Sequence, residues 1–157
     1  MENQERTISF FRFEDLRVYG KATDYAAWLT TALRDARNEA ERQLTDAFVR
    51  SAANISIIIA EGSSRNKSQF QHHLKNAKTA IRECVALTEI TKKLGMLSPE
   101  SCERSRDLLM ELTRMIGALI ISLQRSTPRS HDDEGYDEGS SEPESGYDPL
   151  DAIDTNF

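Results

Sequence analysis

Cysteine, proline and glycine are scarce in this chain, and each shortage removes a class of structure. There are two cysteines among 157 residues, Cys84 and Cys102. Both stand inside helical patterns without the spacing of a metal site, and they read as small reduced residues of a core. Four prolines and seven glycines leave long stretches with no helix breaker. No apolar run reaches about 18 residues, so no membrane-spanning segment is expected. The first residues, MENQERTISFFRFEDL, are charged and lack the apolar stretch of a signal peptide. These absences predict a cytoplasmic protein, and the length suits one domain around one core.

What the chain does contain is Ala, Leu, Glu, Arg and Lys in quantity, which favours helix. Its net charge of −6 hides a split. Residues 1–127 carry 19 Lys and Arg against 16 Asp and Glu, a net of +3, whereas residues 128–157 carry one Arg against ten acids, a net of −9. A mildly basic body precedes a strongly acidic segment. From Thr127 on, the composition is rich in Ser and Gly and nearly free of aliphatics, which predicts disorder. The expected organisation is a flexible N-terminus over 1–12, a helical domain over 13–126 and a disordered acidic tail over 127–157.

Four helical stretches fill the body. The first begins near FEDLRVYGKA and runs to about Leu33, with Leu16, Tyr19, Ala22, Ala26 and Leu29 at spacings of three and four. The second is expected from about Thr45, a good N-cap, to Glu61, with Gly62 in the left-handed position beyond its end. RDARNEAERQ, between the two, has neither Gly nor Pro to mark a boundary. The third runs from about Lys67 to Leu94; Asn66 followed by Gln69 resembles a capping box, and Phe70, Leu74, Ala77, Ile81, Cys84, Leu87 or Thr88, Thr91 and Leu94 form its inner stripe. LGMLSPE then punctuates, with Gly95 ending one helix, Ser98 capping the next and Pro99 at its first position. The fourth runs to about Gln124, with Leu108, Leu112, Met115, Ile116, Leu119 and Leu123 inward. Short connections between long helices imply an all-α, antiparallel up-down-up-down four-helix bundle.

The second helix is apolar on two faces. Phe48, Ala52, Ile55 and Ile59 make one stripe; Val49, Ala53, Ile57 and Ala60 make another. A four-helix bundle buries one face of each helix, so the second stripe is expected to meet another subunit through Val49, Ala53 and Ile57. The quoted segments FEDLRVYGKA, LTDAFVRSAANISIIIAEGSSR, KSQFQHHLKNAKTAIRE and LGMLSPE resemble, in that order, the four-helix-bundle proteins encoded in intervening sequences of large-subunit ribosomal RNA genes. The accessory protein of diversity-generating retroelements is a related branch. The resemblance covers about residues 10–125. It implies a bundle, often assembled as a ring of five, and for the retroelement branch binding to nucleic acid and to a reverse transcriptase. Ser56 and Ile58 stand where the family often has a proline and an asparagine, which makes this helix more regular and more apolar.

Catalytic patterns are missing. His72 and His73, adjacent on a helix, point about 100° apart and cannot chelate one ion together. Ser51, Ser56, Ser63 and Ser64 have no local base, Glu61 reads as a helix-end residue, and GSSRNKS lacks the spacing of a phosphate-cradling loop. No enzyme activity, metal or cofactor is expected. The basic residues carry more. Lys75, Lys78 and Arg82 fall at i, i+3 and i+7 on one stripe, with Arg65 and Lys67 at one end and Lys92 and Lys93 near the other. Such a row can follow the phosphates of RNA or DNA, and without interleaved aromatics it would not read bases. In the acidic tail, Leu150, Ile153 and Phe157 fall at i, i+3 and i+7 among acids, a pattern that could fold on a partner groove or return to the basic row of its own body. The expected function is an oligomeric binding scaffold for nucleic acid, with a protein-protein adaptor recruiting through its tail as the alternative.

Overall fold

Three of the four helices begin on a side chain that accepts a backbone N–H. The computed structural model describes residues 10–126. A 3-10 helix, Arg12–Asp15, leads into α1 (Arg17–Ala32), α2 (Glu39–Ser63), α3 (Lys67–Lys93) and α4 (Pro99–Arg125). Asn38 Oδ1 accepts from Glu41 N at 2.9 Å, Asn66 Oδ1 from Gln69 N at 2.9 Å, and Ser98 Oγ from Ser101 N at 3.1 Å; each cap satisfies one N–H that the first turn leaves open. The tail expected over 127–157 lies outside the described residues, as does most of the N-terminal segment over 1–12; Phe10, Phe11 and Arg12 are described, and Arg12 opens the 3-10 helix.

Two expectations about α2 are corrected. It starts at Glu39 on Asn38 rather than at Thr45. Thr45 sits inside the helix, its hydroxyl buried and without a hydrogen-bond partner. Gly62 is a buried residue within α2, and among the described residues the glycine with positive φ is Gly95, at 67°. Gly62 answers a different need. A Cβ there would lie 2.5 Å from His73 Cβ and 3.0 Å from the Phe70 ring, so α2 and α3 close on each other only because Gly62 has no side chain. Three residues, 64–66, then make the whole connection.

Each helix packs on its neighbours in sequence, and α4 closes on α1; the diagonal helices α1 and α3 meet through side chains, where Tyr25 reaches Cys84 and Thr88. Arg34 N donates to Met96 O at 3.1 Å, which joins the α1–α2 and α3–α4 connections at one end. Lys67 Nζ donates to Ser126 O at 2.9 Å, which joins the start of α3 to the end of α4 at the other. The chain is the expected up-down bundle. No helix among the described residues is long and apolar enough to cross a membrane.

Phe48, Ala52, Ile55 and Ile59 of α2 are fully buried, and each of the large ones contributes roughly 1.5–3 kcal/mol on leaving water. The α3 stripe is buried as expected except at its end. There α3 stops at Lys93, the left-handed Gly95 turns the chain, and Met96 and Leu97 enter the core while Leu94 stays 47% exposed. In α4 the deepest line is Leu109, Leu112, Ile116 and Ile120; Leu108, Met115, Leu119 and Leu123 are half-buried beside it. The rotation follows from Ser105, which must face inward. Its hydroxyl meets Tyr25 Oη of α1 and Thr88 Oγ1 of α3, both at 2.9 Å, and Thr88 donates on to Cys84 O at 2.7 Å. This hydroxyl layer is why Thr88 rather than Leu87 occupies the core. Burial pushes the Tyr25 phenol well above its ordinary range and the Cys84 thiol up to about 12, so the layer stays neutral.

At the end of the bundle where Arg34 meets Met96, the Arg34 guanidinium grips both oxygens of Glu41, at 2.7 and 2.8 Å, and donates to Gly95 O at 3.0 Å. Arg37 N also donates to Glu41, at 2.8 Å. The Arg34 hydrogen bonds and then the Arg37 N–H hold the Glu41 carboxyl at about 2.

Two outcomes follow. Gly62→Ala should destabilise the fold by about 1–3 kcal/mol through overpacking, read as a lower urea midpoint with unchanged helix content; an unchanged midpoint would contradict the close-approach account. Because Glu41 is depressed in the folded state, its contribution is complete above the unfolded carboxylate range near pH 4.3 and is lost as pH falls toward 2. In Glu41→Gln that portion of acid destabilisation should be missing, which urea melts at pH 5 and pH 2.5 would show.

Candidate nucleic-acid interface

Which residues of α3 reach solvent is decided by how the helix is turned. Phe70, Leu74, Ala77, Ile81, Cys84, Thr88 and Thr91 fix one face on the core. At about 100° per residue this sends Lys75, Lys78 and Arg82 to the outer flank. Lys75 and Arg82 are exposed, and Lys78 is half-buried. Lys75 and Lys78 make no ion pair among the described residues. Ser51 of α2 donates to Glu83 at 2.7 Å, so Glu83 lies on the α2 side. Glu89 lies on the α4 side, 4.0 Å from Arg106. The basic row shares the Glu89 flank and overlooks the outer groove between α3 and α4.

The five predicted contacts divide between the two sides of α3. Lys67 reaches Ser126 O on the α4 side, in line with Lys75, Lys78 and Arg82; the ammonium satisfies a carbonyl at the end of α4. Arg65 stands on the α2 side, where it lines a shallow cleft of about 480 Å³ with Ser68, Gln69, His72 and His73. The row from Lys67 to Arg82 is about 22 Å long. Glu89 ends it, pairing with Lys93 at 3.8 Å and Arg106 at 4.0 Å. These exposed pairs add little stability, and the single Glu89 carboxylate, shared by two cations, offsets part of the positive charge at that end of α3.

Sequence reasoning missed the contribution of α4. Arg106, Met110, Arg114 and Ile121 recur at helical spacing along one exposed stripe, and the Arg106–Glu89 contact places that stripe beside α3. Met110 and Ile121 are each 49% exposed. The spacing was readable; which flank of α4 it occupied depended on the hand of the bundle. Also missed were Phe10 and Phe11, 91% and 55% exposed, whose rings meet edge to face at 5.1 Å.

On α2, Val49, Ala53 and Ala60 are half-buried and Ile57 is 47% exposed. The 3-10 helix packs on α2. Leu150, Ile153 and Phe157 lie outside the described residues. The His72 and His73 rings stand 6.3 Å apart at 90°. His73 Nδ1 lies 2.9 Å from Gln69 O, and since a carbonyl only accepts, Nδ1 carries the proton. Among the described residues no group of three or more His, Cys, Asp and Glu could hold a metal ion. The hydroxyls of Ser56, Ser63 and Ser64 donate to carbonyls three residues back. Glu61 is exposed.

The model of the 23S rRNA-intervening sequence protein family matches residues 14–118. The chain belongs to that family. The match covers all of α1, α2 and α3 and most of α4. The basic row of this intervening-sequence protein therefore lies within the family region, and the acidic segment beyond Ser126 does not. No curated protein matches the chain.

Proposed function

We propose that this intervening-sequence protein is a non-catalytic scaffold that assembles with copies of itself and holds a nucleic-acid backbone along α3. The observation that supports it is the row of Lys67, Lys75, Lys78 and Arg82 along one outer flank, with Arg65 at its edge and Glu89 beyond its far end. No aromatic ring interrupts the row, so the contact is with phosphates and not with bases. Repeating the row around a closed assembly multiplies its field. Assembly uses the second stripe of α2, where an exposed Ile57 adjoins half-buried Val49 and Ala53; a ring of five is the arrangement that the resemblance implies. The likeness to the retroelement accessory protein adds a reverse transcriptase as protein partner, tested by co-purification.

Binding of a single-stranded RNA should weaken with salt at a slope of about −3 in log K against log salt, as four phosphate contacts require. Changing Lys75, Lys78 and Arg82 together to Glu should abolish that binding and leave the circular dichroism spectrum unchanged. Equal binding by both proteins, or binding by neither, overturns the reading. For assembly, light scattering should give a multiple of 17.8 kDa, and Ile57→Asp, which would bury a charge, should dissociate it. A wild-type monomer at micromolar concentration contradicts the interface.

A further inference from the structure

The end of α4 is fastened to the start of the basic row. Lys67 Nζ holds Ser126 O at 2.9 Å, so residues 127–157 depart from the point where the row begins. The row runs away from that point for about 22 Å. A coil of 31 residues has a root-mean-square span of about 30 Å, enough to follow it throughout. The departing segment has one Arg and ten acids, opposite in sign to the row. Its Leu150, Ile153 and Phe157 also match the exposed Met110 and Ile121 on the neighbouring stripe of α4.

We propose that residues 127–157 lie back along the α3–α4 groove of their own chain, with Asp132, Asp133, Glu134, Asp137 and Glu138 against Lys67, Lys75 and Lys78, and that they compete there with nucleic acid. The competition rests on the nucleic-acid reading; the docking does not. The contacts join solvated charges, so each is weak and screened over about 8–10 Å. Tethering compensates, because it sets the effective concentration near the millimolar range. The segment thus acts as a built-in rival that a high-affinity backbone displaces and a low-affinity one does not.

Two measurements on the full chain test this. Zero-length carbodiimide cross-linking at low salt should join carboxylates of residues 132–138 to Lys67, Lys75 or Lys78. Mixing isotopically light and heavy chains should give links within chains only. Links spread evenly over Lys21 and Lys92, or no links, overturn the docking; mixed-isotope links show that a second copy is the receiver and overturn the assignment to the same chain. Separately, a full-length variant with Asp132, Asp133 and Asp137 changed to Asn, and Glu134 and Glu138 to Gln, should bind a 20-mer oligouridylate about tenfold more tightly at low salt. The difference should vanish at high salt. Equal affinity with wild type overturns the competition. If neither protein binds RNA while the links form, the nucleic-acid reading and the competition both fall and the docking stands. If the links are missing and the variant loses a protein partner that wild type captures, the segment is a recruitment element and the docking is wrong.

Discussion

Where α2 meets α3, a Cβ on residue 62 would lie 2.5 Å from that of His73, a separation that packed atoms do not tolerate. The two helices therefore close around a glycine, and their three-residue connection follows from that closeness. The remaining contacts set the rotation of α3. Ser51 draws Glu83 to α2 near the middle, and Ser105 draws Thr88 inward near the far end. With one face of α3 fixed on the core, the outward course of Lys75, Lys78 and Arg82 is a geometric consequence. The surface proposed to hold nucleic acid is thus the reverse of the packing that makes the bundle.

The same geometry limits that surface. Glu89, paired with Lys93 within α3 and with Arg106 across to α4, offsets part of the charge at its far end, and Lys67 is partly occupied by the end of α4. What remains is short, about 22 Å, and carries few charges. Contacts of this size give weak, salt-sensitive binding in a single chain, which is why self-assembly and nucleic-acid binding belong to one proposal. A row too weak alone becomes effective when a ring presents several copies.

Helix existence was legible because apolar periodicity in α1, α3 and α4 is strong and LGMLSPE carries a stop and a start together. The start of α2 was misplaced although its signal was present: Asn38 followed three residues later by Glu41 is a capping pattern, hidden by the absence of Gly or Pro nearby. Gly62 was given the wrong task because a glycine after a helical run has two uses, a left-handed turn and a close approach. Only the partner helix decides between them. Leu94 looked like core by spacing alone, and the left-handed turn at Gly95 takes it out. The α3 bases were found from periodicity. Arg106 and Glu89 were not joined to them, since a pair across helices depends on rotation and handedness that one helix's pattern does not contain.

Lysine reactivity measures the central claim most directly. Acetylation of the full-length protein, mapped by mass spectrometry with and without saturating single-stranded RNA, reports each ammonium separately. The account predicts that RNA protects Lys75 and Lys78 and leaves Lys21 and Lys92 unchanged. Protection spread evenly over all four, or confined to Lys21 and Lys92, would show that nucleic acid does not lie along the outer flank of α3.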